Sequence, residues 1–168
     1  MDSTQSLQEQ YAPDNACFGC GPSNPKGLRL KSVVDSTAKA PEAFGLKAEW
    51  TPQAHHEAFP GVLNGGIVGA LLDCHSNWTA AWYLMTRLGL PTPPCTVTAD
   101  FHVRLKRPTP TQGALTLRSR VELTDDPVNE SDMVTVTAEL LGSDNRVCAT
   151  CVGHFVAVKP GHPAYHRW

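Results

Sequence analysis

The period of apolar and polar positions changes twice along this chain. Leu28–Val34 (LRLKSVV) and Phe44–Trp50 (FGLKAEW) alternate apolar with polar residues, as strands with one buried face do. The turn residues 35–43 (DSTAKAPEA) separate them, so the two strands can form a hairpin. From about Gly65 to Leu88 the spacing becomes three and four, with Ile67, Leu71, Cys74, Trp78, Ala81 and Met85 on one stripe. That spacing predicts one long helix, with Gly89 as its C-cap and Pro91 preventing continuation. Alternation then returns in residues 96–108, 113–123, 133–141 and 147–158, with a turn at 124–132 (TDDPVNESD). The order is two short strands, one long helix and four long strands.

One helix cannot cover both faces of a six-stranded sheet. A curled antiparallel sheet wrapped around the helix buries its inner face, and pairing with a second copy would protect the rest. The expected fold class is therefore α+β, with about six strands, in a self-associating chain. Residues 1–27, rich in Gly and Pro from Cys17 onward (CFGCGPSNPKG), read as an N-terminal arm, 28–160 as the domain and 161–168 as a tail.

Composition narrows the function classes. The chain has 168 residues, 41% hydrophobic and 18% charged, enough for one domain with a real core. A net charge of -2 makes no case for nucleic acid. No apolar run reaches bilayer length, and the start (MDSTQSLQEQYAPDNA) has neither a basic segment nor an apolar core, so the expected compartment is cytoplasmic. There the six cysteines read as thiols or metal ligands rather than disulfides.

The stretch PGVLNGGIVGALLD resembles the signature of the PaaI-like acyl-CoA thioesterases of hotdog fold: a His-Gly-Gly turn followed by an acid two helical turns on. CFGCGPSNPKGLRL and RLKRPTP resemble further segments of that group, and the resemblance runs from Cys17 to about Lys159. By spacing the family's acid falls on Asp73 and its glycines on Gly65 and Gly66. Its histidine falls on Asn64, which can hydrogen-bond but cannot titrate. The resemblance implies a thioester hydrolase with its active site at a subunit interface, acting on an acyl-CoA as homodimer or dimer of dimers. It implies no cofactor beyond the coenzyme A of the substrate.

The residues support that chemistry in their own terms. A helix N-terminus carries unpaired N–H groups and partial positive charge, and glycine lets another group come close to it. A thioester carbonyl placed at Gly65 and Gly66 would be polarised there. Asp73 could act as general base or nucleophile, and it lies off the apolar stripe, on a flank with Gly66, Gly69, Asn77 and Ala80. Asn64 would shape the turn, and Asn77 or His56 would assist. Phe59 could touch the acyl group, and Arg104, Lys106 and Arg107 could attract coenzyme A phosphates, with Arg118 and Arg120 on the next strand. His75, on the opposite flank, reads as a packing or interface histidine rather than a base.

Two further readings stand beside this one. The first is a hotdog protein that binds acyl-CoA without turnover. The second is a metal-stabilised module using Cys17/Cys20 and Cys148/Cys151, which would make a four-thiolate site if the pairs met. Residues three apart in a strand point to opposite faces, so Cys148 and Cys151 could not both ligate unless the strand bulged. No metal ligand is therefore assigned, and Cys74 and Cys95 read as small buried residues.

Overall fold

The computed structural model describes residues 5–36, 45–122 and 133–165; most of the expected turn at 35–43, together with Phe44, and the turn at 124–132 lie outside them. A single long helix packs against one face of a six-stranded antiparallel sheet. The strands are β1 (Ser32–Val34), β2 (Leu46–Trp50), β5 (Thr96–Leu105), β6 (Leu115–Val121), β7 (Met133–Leu141) and β8 (Val147–Ala157), in the order β1-β2-β6-β7-β8-β5. A small hairpin of β3 (Glu57–Phe59) and β4 (Val62–Leu63) precedes the helix α2 (Gly65–Leu88). The sequence pattern predicted this hairpin as loop, and it read as loop a short helix α1 (Leu7–Tyr11) that a Ser6–Glu9 capping box starts.

The helix begins and ends where its sequence says it should. Asn64 sits at the N-cap in an extended conformation, and its Oδ1 accepts from the Gly66 and Ile67 amides. Gly89 closes the helix in the left-handed conformation at φ 62° and ψ 34°, which glycine adopts without steric penalty. The buried stripe of α2 includes Val68, Leu71, Leu72, Trp78, Ala81 and Leu84. Full burial of a Leu or Phe side chain is worth about 1.5–3 kcal/mol, so Leu71, Leu72, Leu84 and Phe155 alone hold the helix firmly on the sheet.

The N-terminal arm is part of this core. Leu7, Cys20, Leu28 and Leu30 are buried with it, and the Trp50 indole N–H donates to the Leu28 carbonyl at 2.8 Å. The strand expected from Leu28 is shorter than its pattern, starting at Ser32, because the Leu28 and Leu30 amides bond to the Phe18 and Gly19 carbonyls of the cysteine turn instead of to β2.

β5 is the far edge of the sheet and bulges at Ala99: Thr98 pairs with Phe155, but Asp100 pairs with His154. The extra residue flips the parity. Thr96 and Thr98 face the helix, and beyond the bulge Phe101, Val103 and Leu105 take over that face, while Asp100 bonds His154 on the other side. Phe101 and Leu105 remain 43% and 60% exposed.

Candidate active site

Helix α2 carries candidate groups at two places. The first is its N-terminus. The Gly66 amide donates to Asn64 Oδ1 at 2.8 Å and the Ile67 amide to the same atom at 3.3 Å, so the side-chain cap consumes one of the two expected donors, Gly66. The Gly65 amide has no partner among the described residues. A Cβ added at Gly65 would meet only Leu105 Cδ1, at 3.4 Å, which places the end of β5 beside this helix terminus. His56 belongs to the same neighbourhood through its backbone, whose carbonyl accepts from the Asn64 amide at 3.0 Å. Its ring lies against Trp50 and His55, Nδ1 accepts from the Gln53 amide, and burial together with the adjacent His55 lowers its pKa.

The second place is centred on Asp73, two turns along. Asp73 is half-buried and lines a cavity of about 280 Å³ with Asn15, Cys17, Cys20, Cys74, Asn77 and Thr96. Thr98 donates to Asp73 Oδ1 at 2.7 Å, whereas Oδ2 has no partner among the described residues. Burial raises the pKa of this carboxyl, the Thr98 bond opposes the rise, and the neighbouring Cys17 adds to it. Asn77 is fastened to β5: Thr96 Oγ1 donates to its Oδ1 at 2.6 Å, and its amide donates to the Thr96 carbonyl at 3.3 Å. Thr96 and Thr98 were invisible to the sequence reading, since nothing but the β5 bulge sets which of its side chains face α2.

The flank between these two places is open. A Cβ at Gly69 would meet nothing within 4 Å, and one at Gly66 only the capping Asn64. The remaining expected residues divide. Phe59 stands on the β3–β4 hairpin, 71% exposed. Arg104 and Lys106 are exposed and make no ion pair among the described residues. Arg107 is spent on structure: it forms an ion pair with Asp144 and donates to the Arg146 carbonyl at 3.0 Å, clamping the β7–β8 turn.

His75, two residues past Asp73, is sealed. Its Nδ1 pairs with Ser32 Oγ at 2.9 Å and its Nε2 with the Leu46 carbonyl at 3.2 Å; since a carbonyl can only accept, the proton sits on Nε2 and Ser32 donates. Gln8 completes this buried network at Ser32.

The cysteines sort differently from their sequence pairing. The register of β8 breaks at Cys148, between the pairs Leu140–Ala149 and Leu141–Val147, and both Cys148 and Cys151 are buried in the main core. They do not join the other pair. The cluster contains Cys17, Cys20 and Cys74, with Sγ atoms all within 4.8 Å of one another. Hydrogen bonds from the other two sulfurs lower the Cys17 pKa, and the same bonds raise those of Cys20 and Cys74.

Comparison with solved structures places this architecture. A thioesterase superfamily protein superposes with a TM-score of 0.64 at 22% identity; the alignment covers 84% of this chain but only 63% of that one. A thioesterase superfamily protein from Shewanella loihica matches at TM-score 0.56 and 26% identity, over 77% of this chain and 91% of its own. This is the hotdog fold. The E. coli PaaI protein, from a phenylacetic acid degradation operon, shares it at TM-score 0.54 and 13% identity, over 68% of this chain and 73% of its own. No family model and no curated protein sequence matches the chain. No helix among the described residues is long and apolar enough to cross a membrane.

Proposed function

We propose that this hotdog chain hydrolyses an acyl thioester, with coenzyme A as the leaving thiol, and that Asp73 activates the attacking water. The observation that carries the reading is the Asp73 carboxylate itself: in a cavity, oriented at one oxygen by Thr98, with the other oxygen open, on the small-residue flank of α2. Thioesterase-superfamily neighbours with the same fold support the choice of substrate.

The reaction needs a donor for the developing oxyanion, and the unpartnered Gly65 amide at the helix N-terminus is the candidate. Eight residues of helix separate Gly65 from Asp73, a rise of about 12 Å at 1.5 Å per residue. One carbonyl cannot touch both groups of one chain. A second copy resolves this if its helix terminus faces the Asp73 cavity. β5 offers the route, as an edge strand of ten residues with Phe101 and Leu105 exposed and its end beside Gly65. In such a homo-oligomer Asn64 holds the turn, the exposed Arg104 and Lys106, flanking Leu105 in sequence, supply charge for the coenzyme A phosphates, Asn77 and Thr98 orient Asp73, and Phe59 reaches the acyl group. His56 acts through its backbone, by fixing Asn64.

A non-catalytic acyl-CoA binder is the second reading. Asn64 favours it, because its Oδ1 ties up the Gly66 and Ile67 amides that would otherwise face a ligand. A thiol-release assay over short, long and aromatic acyl-CoAs separates the two. Hydrolysis by the wild type that Asp73→Asn abolishes supports the enzyme; saturable acyl-CoA binding with no thiol release supports the binder.

A further inference from the structure

The three sulfurs beside Asp73 come from elements more than fifty residues apart in sequence, and the fold brings them together deliberately. Cys17 and Cys20 lie on a turn fixed at several points. The Cys17 amide donates to Asn15 Oδ1 at 2.6 Å, the Gly21 amide to the Cys17 carbonyl at 2.9 Å, and the Phe18 and Gly19 carbonyls accept from Leu28 and Leu30. Cys74 comes from the middle of α2. Gly19 is what permits the approach: a Cβ there would sit 2.3 Å from Cys74 Sγ and 3.3 Å from the Ala70 carbonyl. A side chain at 19 would displace the Cys74 sulfur and crowd the helix backbone.

The geometry points to a binding site for zinc or a similar soft divalent cation, in which Cys17, Cys20 and Cys74 supply three thiolates and the fourth position faces the cavity that Asp73 lines. The Cys17 and Cys74 sulfurs are 3.7 Å apart. A disulfide would require about 2.0 Å, whereas two thiolates on a tetrahedral zinc with bonds of about 2.3 Å stand about 3.8 Å apart. Three soft sulfur ligands select zinc-like metals over magnesium or calcium. An outer group suits a ligating sulfur: the Trp78 indole N–H donates to Cys20 Sγ at 3.4 Å. With three protein ligands the coordination is open, and the open side meets a cavity of about 280 Å³ rather than protein. All three cysteines line that cavity. This assignment stands apart from the hydrolase reading, because metal content is measured without turnover.

The test uses the full chain, purified with reduced thiols, stripped with chelator and titrated with zinc against a chromophoric competitor. One tightly bound zinc per chain is expected, with a higher melting temperature for the loaded protein. Cobalt in its place should give sulfur-to-metal charge-transfer absorption and the strong visible bands of a tetrahedral site. Cys17→Ser, at an exposed position, should weaken zinc binding by at least about tenfold, and Cys148→Ser should leave it unchanged. Failure of the reduced wild-type chain to bind zinc overturns the proposal without reliance on any variant. So does full retention of affinity in Cys17→Ser, or loss of it in Cys148→Ser alone.

Discussion

Asp73 and His75 stand two residues apart on one helix, and the structure treats them in opposite ways. Burial disfavours the charged form of each, raising the carboxyl's pKa and lowering the imidazole's to about 4. His75 meets this by staying neutral between Ser32 and the Leu46 carbonyl, inside the core. Asp73 faces β5 at the edge of the sheet, where a threonine meets one oxygen and a cavity the other. Ionising Asp73 therefore costs folding free energy in a place where a reactive carboxylate is useful, whereas His75 costs nothing until acid. The proposed chemistry falls to the group whose environment is incomplete.

The comparison breaks most sharply at Asp73 itself. Asp73→Asn should reduce acyl-CoA hydrolysis by about 10²–10⁴-fold, the usual contribution of a general base. It should not lower the melting temperature. A carboxyl whose native pKa lies above its unfolded value binds more protons when folded, so its ionisation subtracts stability as pH rises through that interval. A marked loss of stability in this variant would make Asp73 a structural group, as His75 is.

Gly65→Pro addresses the other half of the proposed site. Proline is favoured at the first helical position and Asn64 already has the extended backbone that must precede it, at φ -61° and ψ 133°. The helix should persist, while the loss of the free N–H should lower kcat by about 10²–10³-fold. Unchanged kcat would remove the oxyanion role from this amide.

At His75 the expected effect is on stability and on its pH dependence. The native pKa of about 4 lies below the unfolded value of about 6.5. Protonation thus favours unfolding: the contribution is constant above the unfolded pKa and is lost as pH falls from there toward the native one. The loss amounts to about 3 kcal/mol over that window. Denaturant melts of wild type and His75→Gln at pH 7 and pH 4.5 would show it as an acid-induced decline that the variant lacks.

The smallest effect distinguishes the basic residues at the end of β5. Arg104→Ala or Lys106→Ala should raise KM for an acyl-CoA by up to about fivefold at low salt, in keeping with exposed charges. Arg107→Ala should act instead on the melting temperature, since Asp144 and the Arg146 carbonyl hold its guanidinium. A KM effect at Arg107 larger than at Arg104 would move the phosphate site.

What a single chain's letters could determine here was local. The helix from Gly65 to Leu88, its cap at Gly89, the order of the six sheet strands along the chain and the position of Asp73 all follow from periodicity, turn residues and spacing within one element. The β3–β4 hairpin and α1 escaped because short elements carry too few residues for a period to show.

Tertiary structure alone decided who meets whom. The bulge at Ala99 inserts one residue, and in a strand one residue exchanges inside for outside, so Thr98 meets Asp73 while Asp100 meets His154. The partnership of Cys74 with Cys17 and Cys20 depends on where an N-terminal turn lands on a distant helix, at a glycine whose missing side chain is the only local trace of the contact. Periodicity reports which way a residue faces within its own element; it holds no information about the element that arrives opposite.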